Sequence, residues 1–249
     1  MEASVLTERF LAFPHIPVGQ HVTTKIAGLT LDIDTIWTTG IACAVVLVLG
    51  FYVRRKATAS TPNKVQLFWE FVIGAAGEQV ENSLGKRYRH VVPIAVTLFV
   101  LILVANWVEL LPGFYHSTDY LPSPSADVNT VYALAVCVLV MTTASGIRAK
   151  GSAGYVKSFF GKPRFLAPIR ILETFVTNPL SLALRLFGNI FAGGIMIALL
   201  LAIPWYGAFF SVPVTVAWKL FDMFIGLLQA FIFALLTVLY WQFAVEEAH

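Results

Sequence analysis

Charge is scarce in this sequence. Only 12% of its 249 residues are Asp, Glu, Lys or Arg, against about 25% in soluble domains, and 58% are hydrophobic. A mean hydropathy of +0.77 leaves too little polar surface to coat a water-soluble globule, so part of the solvent is lipid. A formal net charge of +3, with the cations not clustered on one polar domain, gives no argument for a nucleic-acid partner. Cysteine is nearly missing as well. Cys43 and Cys137 both sit inside apolar runs, where cysteine behaves as a small hydrophobe, so no disulfide is expected. His15, His21, His90, His116 and His249 lack metal-ligand spacing, and no P-loop, nucleophile elbow or zinc motif is present. No metal, cofactor or covalent chemistry is expected, and the chain reads as non-catalytic. The first apolar run begins only near Ile36, without a basic segment directly before it, so no cleaved signal peptide is expected.

What is present is a series of apolar runs. Residues 1–34 are mixed in polarity and interrupted by Pro14, Pro17, Gly19 and Gly28, which predicts an irregular arm. A first span is predicted over 36–53, closed by Arg54, Arg55 and Lys56. Over 62–85, apolar residues recur at Val65, Phe68, Trp69, Val72, Ile73, Ala76, Val80 and Leu84, with Gln66, Glu70, Glu78 and Glu81 between them. This is helical spacing with one wet face, and such a helix lies on a membrane surface better than it crosses. Further spans are predicted over 91–111 and 128–147, and two long apolar stretches over 168–203 and 211–245. The whole reads as an all-α membrane protein: an N-terminal arm over 1–34, then one membrane domain over 35–249 with about five membrane helices and one amphipathic surface helix.

The positive-inside rule sets the orientation. Arg54 to Lys56, Lys86 to Arg89 and Arg148 to Arg164 fall on one side, while loops 112–126 and 203–211 carry no Lys or Arg. The N-terminal arm is therefore expected outside and the C-terminus in the cytoplasm. The last two stretches, of about 35 residues each, make helices roughly 50 Å long, against hydrocarbon about 30 Å thick. They stay apolar nearly throughout, so strong tilt is expected, with a partner filling the wedge that tilt leaves.

Ionisable residues inside spans cost roughly 3 kcal/mol on insertion scales and face protein or a water cavity. Here they are Glu109, Glu173, Arg185, Lys219 and Asp222. Arg185 sits between Leu184 and Leu186 with no acid beside it, and guanidinium does not shed its proton. Asn178, Ser181, Arg185 and Asn189 form one stripe on a helical wheel, and Thr215, Lys219, Asp222, Gly226 and Gln229 form another on the last helix. Two such stripes facing each other make a hydrated route. The plainer reading is a folding device in which Arg185 pairs with Asp222. Lys219 and Asp222, three apart, can also satisfy one another, which frees Arg185 for an external partner. Glu109 and Glu173, near span ends, read equally as aqueous-vestibule residues or as interfacial carboxylates.

The run Pro179-Leu-Ser-Leu-Ala-Leu-Arg185-Leu-Phe-Gly-Asn189-Ile-Phe-Ala-Gly193 strongly resembles the signature of subunit a of F-type ATP synthases, as does Leu228-Gln229-Ala-Phe-Ile-Phe-Ala-Leu-Leu-Thr237. Weaker echoes are Thr61 to Gln66, Asn106 to Gly113, and Asp127-Val-Asn129-Thr130. The resemblance implies the proton-translocating stator of a rotary ATP synthase. Arg185 would face the ring of c subunits and separate two offset half-channels, with Asn189 and Gln229 as its polar neighbours. Asp222 would be an outer half-channel carboxylate and Glu173 an inner one. Gly194 stands where many family members carry Glu or His, so the outer path here relies on Asp222, Lys219, Glu109 or water. The implied partners are the c-ring, peripheral-stalk subunit b, the rest of the complex and membrane lipid, in an energy-transducing membrane such as the bacterial plasma membrane. The rival reading is a self-sufficient secondary transporter in which Arg185 binds an anionic substrate. It calls for an internal repeat, and none is evident.

Overall fold

The computed structural model describes residues 23–26, 29–58, 62–108, 114–115, 118–119, 124, 127–160, 165, 167–181, 183–184, 188, 193, 195–196 and 208–245. Strands β1 (Thr23–Ile26) and β2 (Leu29–Asp32) lead into α1 (Ile33–Lys56), which is followed by α2 (Lys64–Leu84). A 3₁₀ turn (Lys86–Val91) then opens α3 (Val92–Val108). Strands β3 (Phe114–Tyr115) and β4 (Thr118–Asp119) precede α4 (Val128–Phe159), α5 (Ala167–Leu172) and α6 (Ala208–Val245). This is an all-α membrane protein carrying two short hairpins. Among the described residues, four helices are long and apolar enough to cross a bilayer: Ile33–Lys56, Lys86–Val108, Asn129–Phe159 and Val212–Val245. The helix expected over 168–203 is only partly among the described residues.

Local chemistry explains where the helices stop and start. Asp127 caps α4, its carboxylate accepting from the N–H groups of Asn129 (3.0 Å) and Thr130 (3.3 Å) and from the Thr130 hydroxyl (2.9 Å), so three donors at the helix start are satisfied. Gly85, at φ +80°, ends α2 and donates its N–H to the Glu81 carbonyl at 3.0 Å. Two expectations need correction. The arm before residue 36 is not wholly irregular, because Thr23 pairs with Asp32 and Ile26 with Leu29 in an antiparallel ladder. Its β-branched residues, Thr23, Thr24, Ile26 and Thr30, suit a strand. The helix expected over 128–147 also extends further, to Phe159. The helix runs past 147 and breaks at Gly151, whose φ of +73° bends it before it resumes to Phe159; that conformation costs little only for glycine.

Helix α6 is the hub, packing most extensively on α3 and then on α4. One apolar cluster joins Leu98 and Ile102 of α3, Val131, Ala135 and Val138 of α4, Ala230 and Phe233 of α6, and Ala183. A second joins Val80 of α2 to Val91, Val92 and Ala95, and to Val238 and Trp241 of α6. Small residues let these helices approach closely. A Cβ on Gly146 would lie 2.8 Å from the Ala244 carbonyl, and next to it the Trp241 indole donates to the Ser145 hydroxyl at 2.8 Å. Helix α2 buries only Val80 completely and exposes Leu67, Phe68 and Phe71. The Arg89–Glu81 ion pair (3.2 Å) holds the end of α2 to the turn that follows, with Arg89 largely exposed, so it contributes little to stability.

Candidate polar site between the long helices

On α6 the polar stripe turns inward and the large apolar residues turn out. Thr215, Lys219 and Asp222 are half-buried, and Gly226 and Gln229 are buried. Leu220, Phe221, Phe224, Leu227, Leu228 and Phe231 are all exposed. A helix that hides its polar stripe and shows its apolar one is built for a surround of lipid or of another apolar protein surface.

Two neighbours cover the stripe. From the helix that bears the arginine motif comes Gly193, which is buried. A Cβ there would stand 2.9 Å from Asp222 Oδ1 and 3.3 Å from its Cγ, so the absence of a side chain makes the room the carboxylate occupies. From α3 comes Asn106, only 7% exposed, which donates from Nδ2 to the Gly226 carbonyl at 3.1 Å. The adjacent Trp107 donates from Nε1 to the Met223 carbonyl at 3.4 Å. Gln229 is 6% exposed, and its Nε2 has no hydrogen-bond partner among the described residues.

The other candidate residues fall as follows. Glu173 is exposed and begins a π-helical turn, Glu173–Thr177, closed by the N–H of Asn178 donating to the Glu173 carbonyl. The wider turn changes the angular phase of Glu173 relative to the residues beyond it, so a simple helical wheel misplaces it against the Asn178–Ser181 stripe. Such turns are frequent at functional sites. Asn178 is half-buried and Ser181 exposed. Pro179 and Ala183 are buried while Ser181 and Leu184 are exposed; further along, Gly188 is exposed and Gly193 buried. Arg185, Asn189, Glu109 and Gly194 lie outside the described residues. The motif reading had assigned no role to Asn106, Trp107 or Gly193. The available signals were an amide inside the apolar run Leu103-Val-Ala-Asn106-Trp-Val108 and a Gly-Gly pair on the helix facing Asp222.

Gly193→Ala is expected to lower function without loss of the protein from the membrane. Overpacking costs about 1–3 kcal/mol, and here the added methyl presses on the movable carboxylate of Asp222. Gly193→Val should be worse, since two further methyl groups enter the same confined space. The activity that the resemblance implies, proton-driven ATP synthesis by inverted vesicles normalised to the amount of this protein, reads the effect. An unchanged rate in the Val variant would mean that Asp222 does not need this position.

Four helices long and apolar enough to cross a bilayer, with polar groups held along the contact between α3 and α6, define an integral membrane protein. Residues 36–242 match the sequence profile of the family described as ATP synthase A chain. The chain is 43% identical to ATP synthase subunit a of Mycobacterium leprae over 249 residues, 97% of this chain and 98% of the relative. It is 45% identical to that of Mycobacterium tuberculosis, with the same coverage. With subunit a of Acidothermus cellulolyticus it shares 42% identity over 239 residues, 94% of this chain and 86% of the relative. The chain belongs to the ATP synthase subunit a family: it is an integral membrane component of an ATP synthase, serving proton transport coupled to ATP synthesis.

Proposed function

We propose that this chain is the non-catalytic stator through which protons reach and leave the c-ring carboxylates, by two offset half-channels kept apart by Arg185. The observation that carries this reading is the burial of the α6 polar stripe, with Asp222 lodged against Gly193 eight residues beyond Arg185. A carboxylate in a prepared niche beside the arginine-bearing helix supplies a titratable stop on the outer path. Lys219, Asn189 and Gln229 line the same route, with Glu109 at its mouth. Glu173, exposed at the π turn, serves the inner path with Asn178 and Ser181. Guanidinium at position 185 attracts a bare ring carboxylate in low dielectric and repels a proton crossing directly between the paths. Each charge carried across supplies about 2.3 kcal/mol per 100 mV.

The ring packs against the arginine helix and the exposed apolar face of α6, and peripheral-stalk subunit b holds the chain against rotational drag. Helix α6, 38 residues and so about 57 Å long, crosses the plasma membrane steeply tilted, with the C-terminus in the cytoplasm and the N-terminus outside. Extraction in mild detergent tests the assignment. The chain is expected to co-purify with an oligomeric ring and a stalk, and to move no protons usefully when reconstituted alone. A purified single chain that catalyses substrate-coupled transport would establish the transporter reading instead.

A further inference from the structure

We infer that Asn106 and Trp107 form a clamp on the backbone of α6 that sets the height and rotation of Asp222. Apolar contact is nondirectional, so one helix can slide or turn on another at little cost; hydrogen bonds are directional and remove that freedom. Here two consecutive residues of α3 donate to carbonyls one turn apart on α6, Asn106 to Gly226 at 3.1 Å and Trp107 to Met223 at 3.4 Å. Each accepting carbonyl lies within a helix, so the side-chain donor uses its second lone pair. Both carbonyls fall directly after Asp222 and before Gln229. The approach is close, because a Cβ on Gly226 would stand 3.1 Å from the Asn106 Cβ; glycine at 226 is what lets the amide reach the backbone.

The same amide has a second half. Among the described residues, buried Asn106 Oδ1 has no hydrogen-bond partner, and neither has Gln229 Nε2, one turn beyond Gly226. One is an acceptor and the other a donor, and unpaired polar atoms are disfavoured inside a membrane protein. A single water bridging them would satisfy both. Asn106 is thus a positioning residue that ties α3 to the α6 backbone with one end of its amide and, through such a water, to Gln229 with the other.

The inference rests on Asp222 being an outer-path carboxylate, so Asp222→Asn is run alongside in the intact complex. In assembled enzyme, Asn106→Leu keeps the branched shape but removes both amide functions, and proton-driven ATP synthesis is expected to fall about tenfold, the rate equivalent of one lost hydrogen bond. Asn106→Asp is the sharper probe. As a carboxylate it has no donor for Gly226 and repels that carbonyl; once protonated it donates again. An ordinary aspartate titrates at about 4 and burial raises that value, so the variant's synthesis relative to the parent should recover as the outer-side pH falls from about 8 to about 5.5. The loss in Asn106→Leu combined with Gln229→Leu should not exceed the larger single loss. A flat pH ratio for Asn106→Asp overturns the clamp, whether or not Asn106→Leu assembles, as do losses that multiply in the double variant. Normal synthesis by both Asn106 variants beside a defective Asp222→Asn also sinks the clamp while leaving the outer-path reading intact; a normal Asp222→Asn sinks both.

Discussion

Arg185→Lys is expected to assemble with the ring and to lose coupled ATP synthesis. Lysine retains a formal charge, but its compact, strongly hydrated ammonium loses its proton readily on burial, unlike guanidinium. Once neutral it neither holds a ring carboxylate nor blocks a proton passing directly between the half-channels. Arg185→Ala removes the barrier outright, so passive proton leak is expected as well as loss of synthesis. ATP synthesis in inverted vesicles under an imposed proton gradient, with subunit levels checked by blotting, measures both. A control separates gating from charge balance. If Arg185 only neutralises Asp222, removing both charges together restores a working protein; if it gates, the doubly neutral variant assembles and makes no ATP. Near-normal synthesis by Arg185→Lys or Arg185→Ala would overturn the gate.

The second large effect is expected at Asp222. Asn is nearly isosteric with Asp and fits beside Gly193, where Asp222 Oδ1 lies 2.9 Å from the position of an added Cβ, so packing should survive. What is lost is the ability to take up and release a proton. Proton-driven synthesis should therefore collapse while the subunit stays in the complex. A cysteine at 222 should react with a membrane-impermeant thiol reagent added from the non-cytoplasmic side. Normal synthesis in Asp222→Asn, with assembly verified, would mean that the carboxylate is structural only.

Composition was enough to name the solvent. With 12% charged residues and 58% hydrophobic ones, the chain could only be a membrane protein, and helices are the economical way to satisfy a backbone in lipid. Local signals marked several elements closely: Asp127 before α4, and the wet-faced period of α2. The hairpins were less visible, because each strand is four residues or fewer and gives almost no periodicity. Gly151 lies beyond the span expected over 128–147, and nothing adjacent to it announces a positive φ inside an otherwise helical run.

For the site, spacing alone put Asp222, Gly226 and Gln229 on one face of a helix and singled out Arg185 as a charge that cannot neutralise itself; both follow from properties of residues and the 3.6-residue turn. Tertiary structure decided what covers that face: the bare backbone of Gly193 against Asp222, and Asn106 and Trp107 reaching the carbonyls of Gly226 and Met223. It also decided the phase of Glu173, through a π turn that no residue type encodes by itself. The contacts of Asn106 and Trp107 join residues more than 100 positions apart on α3 and α6. They depend on how closely two helices can approach, which is set by small residues on both partners and by the packing around them, quantities that a single segment of sequence does not contain.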